Sequence, residues 1–162
     1  MSHGRKPRKI RWPANNRAHE STVHKLRTFD AEESAELVNE ARMAWHYLTH
    51  GKGTKDHFDT LGNALNATEI LCEPIGQQAV DIAISAQLAV VSMQQRYHRT
   101  GQFGADAEAL EHVPAGLYLF EQLMSFSNPL QLVTAVEQSW QRIREGDVLA
   151  SAHPQKQQRR IA

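Results

Sequence analysis

The chain has 162 residues, 41% hydrophobic and 22% charged, which suits one domain with a sizeable core. Its 18 Lys/Arg and 18 Asp/Glu cancel in number but not in place: residues 1–27 hold eight Lys/Arg against one Glu, residues 151–162 three against none, and residues 28–150 seven against seventeen. The single cysteine, Cys72, excludes an intrachain disulfide framework, and the basic N-terminus leads into no apolar run of the secretory kind, so a cytoplasmic protein is expected.

Residues 1–27 read as a basic arm without periodicity, interrupted by Pro7, Pro13 and the Asn15-Asn16 pair, with the composition of a disordered segment. Its cluster Arg5, Lys6, Arg8, Lys9 and Arg11 ends at Trp12, whose ring suits stacking on a base or a partner surface; the alternative is an arm that is merely solvated or lies back on the acidic body. A helical domain is expected over residues 28–147. Asp30 with Glu33 predicts a capped first helix, in which Leu37, Ala41, Ala44, Trp45 and Leu48 form the apolar stripe. Gly51 supplies the stop, and Thr54 caps a second helix whose inner face is Phe58, Leu61, Leu65, Thr68 and Cys72, closed by Pro74. The short Gly-Lys-Gly turn makes these two an antiparallel hairpin.

The stretch Ile75–Tyr97 carries Val80, Ala83, Ile84, Leu88 and Val91 on one face and Ile82, Ala86, Ala89 and Met93 on nearly the opposite one. A helix apolar on two faces wants neighbours on both, so this third helix is expected at the centre of the domain. Gln and Asp interrupt it, and it falls short of the roughly 20 apolar residues a bilayer span needs. Gly101 and Gly104 bracket an expected flexible corner around Phe103. A fourth helix from about Asp106 to Phe126 carries Leu110, Leu117, Phe120, Leu123 and Met124, with Pro114 and Gly116 predicting a kink or a separate short turn. Asn128, Pro129 and Gln131 open a fifth helix, with Leu132, Val133, Val136, Trp140 and Ile143 facing inward. Residues 148–162 read as a second basic tail. The expected fold is all-α: a compact antiparallel bundle of about five helices between two basic, disordered tails, with Val80, Leu88 and Trp140 in its core.

The segment Ala44–Leu71 carries an L-T-x-G-x-G-T turn followed by an acidic residue and an A-L-N helix: Leu48, Thr49, Gly51, Gly53, Thr54, Asp56, Asp59, Ala64, Leu65 and Asn66. With the later QLAVVSM and EQSWQRIREGD stretches, it resembles a group of uncharacterised small helical proteins encoded by bacteriophages, prophages and plasmids. The resemblance spans most of residues 35–147 and implies a mobile-element setting, but no chemistry.

Three candidate sites stand out. His46 and His50, four apart on the first helix, face His57 across the turn, and Asp56 or Asp59 would complete a metal site. The pattern lacks the zincin glutamate, and nine histidines make chance spacings common. Gly51-Lys52-Gly53-Thr54 lacks P-loop spacing and reads as two helix ends with a tight turn. Asp59, Gly62, Asn63 and Asn66 share the solvent-side arc of helix two, where a mid-helix glycine marks either a partner groove or a closely packed neighbouring helix. Cys72 reads as a core residue.

No cofactor is implied. The leading expectation is a non-enzymatic binding or regulatory accessory protein of a phage or plasmid. Its helical body would engage a protein partner and its basic tails nucleic acid, without a membrane. The alternatives are a metal-dependent enzyme using His46, His50 and His57, and a self-assembling helical protein whose Met43, Tyr47 and Ile70 form a homo-oligomer interface.

Overall fold

The computed structural model describes residues 27–147, and every regular element among them is a helix. These are α1 (Ala31–Thr49), α2 (Lys55–Cys72), α3 (Gln77–Thr100), α4 (Ala107–Met124) and α5 (Pro129–Arg144). The arm cluster Arg5, Lys6, Arg8, Lys9, Arg11 and Trp12 and the tail after Asp147 lie outside the described residues.

Local chemistry sets the helix ends. Asp30 accepts from the amides of Glu32 and Glu33, and Glu33 reaches back to the Asp30 amide at 3.0 Å, giving a full capping box. Thr54 and His57 form the equivalent box at α2, and Asn128 and Gln131 at α5, where Pro129 takes the first helical position. Gly51 (φ +67°) and Gly101 (φ +71°) supply left-handed exits. Gly53 is needed for space, because a Cβ there would lie 2.6 Å from Leu48 Cδ2 and 2.9 Å from its Cα.

The packing order departs from the expectation. The centre of the domain is α2, which packs against α1, α3, α4 and α5, while α3 packs against α2 and α4 only. Four consecutive residues of α2, Ala67, Thr68, Glu69 and Ile70, are buried. At about 100° per residue they look outward over most of the circle, so α2 is enclosed. Its polar and small residues disguised this. On α3 the buried side is Ala83, Ala86, Ala89, Val90 and Met93, whereas Ile82 is exposed and Val80, Ile84, Leu88 and Val91 are only half-buried.

The small residues on α3 have a counterpart. A Cβ on Gly116 of α4 would lie 2.6 Å from Ala86 Cβ and 2.8 Å from Leu65 Cδ2, so the glycine lets α4 approach α2 and α3 together. Of the expected kink or separate short turn in α4, the separate turn does not occur. Pro114 sits inside one continuous helix on its exposed side, where solvent can serve the carbonyl its missing amide leaves open.

The corner after α3 is pinned. Phe103 is buried, stacked on Tyr97 at 4.2 Å and on Phe58 at 5.5 Å between ring centroids. Arg96 ties the same corner by donating to the Gly104 carbonyl and pairing with Asp106, the N-cap of α4. That cap and Arg96 hold the Asp106 carboxyl below its ordinary pKa against an opposing desolvation.

Four further expectations are corrected. Leu110 is exposed on the outer side of α4, and Ile70 is buried beneath α5's neighbourhood rather than exposed. Trp140 is 46% exposed, and Ile143 is exposed as well. Helix α5 lies on α2 alone and seats itself through Leu132, Ala135 and Ser139, a face rotated from the one its bulky residues suggest. Trp45 and Phe58 pack against the core at its edge.

Candidate functional site

Because α5 touches α2 but neither α1 nor α3, a groove runs along each of its sides with α2 as the common floor. One lies between α3 and α5, the other between α1 and α5.

The α3–α5 groove, about 350 Å³, has apolar walls that include Phe58, Ile70, Val90 and Val91. Its polar floor holds three of the five buried polar residues of the described chain: Glu69, Gln87 and Ser139. Gln87 Nε2 donates to Glu69 Oε2 at 2.9 Å and to the Leu65 carbonyl at 3.1 Å. Arg142 of α5 reaches Glu69 Oε1 at 3.5 Å and pairs with Glu73. The network joins α2, α3 and α5, so its charges are directed inward at one another. Beside it, burial first and Glu69 second push the Cys72 thiol up to about 11, which leaves it a core residue with little thiolate.

The α1–α5 groove, about 410 Å³, is lined by Leu37, Ala64, Phe120, Leu132, Val136 and Trp140, with Glu40 on the α1 rim and Glu137 on the α5 rim. Among the described residues no ion pair reaches Glu36, Glu40 or Glu137. Partial burial, with Glu36 one turn away adding repulsion, raises the Glu40 carboxyl above its ordinary pKa.

The expected partner face divides between these grooves. Gly62 and Asn66 line the α3–α5 groove, Asn63 lines the α1–α5 groove, and Asp59 stays exposed in an ion pair with Lys55 at 2.6 Å. Gly62 is not there for a close-packed helix, because a Cβ on it would meet nothing within 4 Å.

The histidines are brought together only in part. The His46 and His50 rings lie 4.1 Å apart between centroids, and both are exposed. His50 Nδ1 donates to the His46 carbonyl at 2.8 Å. His57 stacks on Tyr47 at 4.6 Å, and its Nδ1 accepts from the Thr54 amide at 3.1 Å, so its near nitrogen serves the helix cap. Among the described residues no three His, Cys, Asp or Glu side chains are grouped so as to hold a metal ion.

Sequence reading missed Glu69, Gln87 and Arg142. The available signal was register: Glu69 falls four residues after Leu65 and eight after Leu61, where a solvated acid is not expected. No helix among the described residues is long and apolar enough to cross a membrane. The chain matches no family model, and no curated protein or solved structure aligns with it.

Proposed function

We propose that the protein is a non-enzymatic binding accessory of a phage or plasmid, whose helical body engages a protein partner and whose basic tails engage nucleic acid. The observation that carries this reading is the partition of charge between tails and body. Of the eight Lys/Arg among the described residues, five (Arg27, Arg42, Lys55, Arg96 and Arg142) stand in ion pairs with carboxylates of the body. The arm instead packs Arg5, Lys6, Arg8, Lys9 and Arg11 into seven residues beside Trp12. A cluster of this kind gains free energy by releasing counterions from a polyanion, and phosphate contacts of that sort carry little sequence information.

The α1–α5 groove supports the protein-binding half of the reading. A half-exposed tryptophan in a concave apolar setting with an acidic rim is the composition of an anchor site. The mobile-element setting rests on the Leu48–Asn66 resemblance.

The test is fluorescence anisotropy of labelled duplex and single-stranded DNA with the full chain and with residues 1–13 deleted. Full-length binding is expected at low salt, with steep weakening as salt rises, and the deletion is expected to cost tenfold or more while the helical body stays folded. Absence of binding at low salt removes the nucleic-acid half, and binding that survives the deletion moves it to Lys156, Arg159 and Arg160.

A further inference from the structure

The α1–α5 groove combines three features that together describe its occupant. Its walls are apolar, with Trp140 46% exposed inside it. Its rims carry Glu40 and Glu137, with Glu36 one turn from Glu40, and among the described residues no ion pair reaches these carboxylates. Its near end is where the N-terminal arm joins the body: the Phe29 amide donates to the Ser127 carbonyl at 3.0 Å, which places the N-caps of α1 and α5, Asp30 and Asn128, at one end of the molecule. A segment suited to such a groove alternates apolar and basic side chains, so that an extended backbone turns one set to the floor and the other to the rims.

Residues Lys9-Ile10-Arg11-Trp12 have that alternation, with Ile10 and Trp12 apolar and Lys9 and Arg11 basic. We infer that the α1–α5 groove is the docking site of the chain's own residues 9–12, seated with Ile10 and Trp12 toward Trp140 and with Lys9 and Arg11 toward Glu40 and Glu137. The reach is sufficient. Trp12 and Arg27 are joined by a tether that extends to about 50 Å at roughly 3.3 Å per residue, while Leu37–Ala41 lie only about 10–15 Å along α1 from its start. Tethering also gives the arm a high effective concentration at the groove, so a weak contact suffices to populate it.

The raised Glu40 carboxyl agrees with this seat, since a cation beside it relieves the repulsion from Glu36. The functional consequence rests on the nucleic-acid reading above. The same Lys9, Arg11 and Trp12 cannot lie in the groove and on a phosphate backbone at once, so the acidic rim competes with nucleic acid for the arm. Apparent DNA affinity falls by the fraction of time the arm is seated.

The experiment is paramagnetic relaxation enhancement on the full chain carrying a nitroxide at Gly4→Cys. Cys72 is 0% exposed, with its thiol pushed up to about 11, so labelling falls on the arm. Broadening is expected at the amides of α1 around Leu37–Ala44 and of α5 around Val133–Trp140. It is expected to be lost in Glu40→Lys/Glu137→Lys and at high salt. The same double variant is expected to bind DNA several-fold tighter than the control Glu108→Lys/Glu111→Lys, which adds equal charge on α4. Broadening absent from the α1–α5 groove, or found instead along the α3–α5 groove, overturns the inference. Broadening that appears only between labelled and unlabelled molecules also overturns it and makes the occupant a second copy. The two proposals separate in one titration. Groove broadening that added DNA does not release, with no DNA binding, leaves the seat and removes the nucleic-acid reading. DNA binding through the arm without groove broadening does the reverse.

Discussion

The two grooves beside α5 share a floor and differ in what their charges do. Between α3 and α5, Glu69, Gln87 and Arg142 are committed to one another, and Arg142 also holds Glu73. Between α1 and α5, Glu40 and Glu137 are without an ion pair among the described residues, and a tryptophan stands half out of the core. A buried polar network that satisfies itself acts as a clamp, holding α5 to the bundle and setting its angle. An apolar hollow whose neighbouring carboxylates are uncompensated has binding capacity to spare. The fifth helix is therefore clamped on one side and open on the other.

The largest expected effect tests the frame on which both grooves rest. Gly116→Val puts methyl groups where even a Cβ would meet Ala86 and Leu65 at 2.6 and 2.8 Å. It is expected to cost about 3 kcal/mol, the upper part of the overpacking range, in urea denaturation. A loss under about 0.5 kcal/mol would mean that α4 does not approach α2 and α3 so closely.

The clamp itself comes next. Glu69→Ala leaves Gln87 and Arg142 without their shared acceptor, with an expected loss of about 2 kcal/mol, because Arg142 keeps Glu73 and some solvent. Trp140→Ala on the open side is expected to cost about 1 kcal/mol or less, against the roughly 3–5 kcal/mol typical of a core tryptophan. If the two variants exchange places in this order, the assignment of clamp and open groove is reversed.

A smaller change should raise stability. Gly62 faces the α3–α5 groove with nothing within 4 Å of its would-be Cβ. Gly62→Ala is therefore expected to gain about 0.5–1 kcal/mol from helix propensity alone, read as a rise in melting temperature. A decrease would show that the neighbouring helix closes on that position in solution.

The smallest effect concerns Glu40, whose folded carboxyl is raised above its ordinary pKa by burial and by Glu36. Between the unfolded and folded pKa values the folded chain binds more protons, so this group's contribution to stability falls as pH rises through that window. With residues 1–13 deleted, Glu40→Gln is expected to be neutral in acid and to gain only a few tenths of a kcal/mol at neutral pH, since the site is largely solvent-screened. In the full chain that gain is expected to vanish or turn into a small loss, because the seated Lys9 and Arg11 give Glu40 a cationic partner; an equal gain in both chains would count against the seat.

The helix ends were legible from local chemistry, though the corner at Phe103 and the course of the chain through Pro114 were not. The capping pairs at Asp30 and Asn128, the cap at Thr54, the exits at Gly51 and Gly101, and the buried stripe Leu61–Leu65–Thr68–Cys72 all follow from neighbours within about one or two helical turns. The candidate site was half legible. Asp59, Gly62, Asn63 and Asn66 were singled out as one arc that read either as a partner groove or as a closely packed face, but the residues that distinguish one groove from the other were not.

What the sequence by itself determined is therefore the number and ends of the helices and the inner faces of α1 and α2, because a 3.6-residue repeat and a cap are interactions within one element. Only the tertiary structure decided which helix is enclosed. Hydrophobicity pointed to α3, yet α2 holds the centre, because the number of neighbours a helix meets depends on how closely each can approach, and Gly116 against Ala86 and Leu65 sets that distance across three elements. The same holds for Glu69 and Trp140. A charge is buried where Gln87 and Arg142 arrive from other helices to satisfy it, and a tryptophan is left open where α5 seats through Leu132, Ala135 and Ser139 instead. No stretch of sequence contains those partners together, so the register of one helix on another decides them.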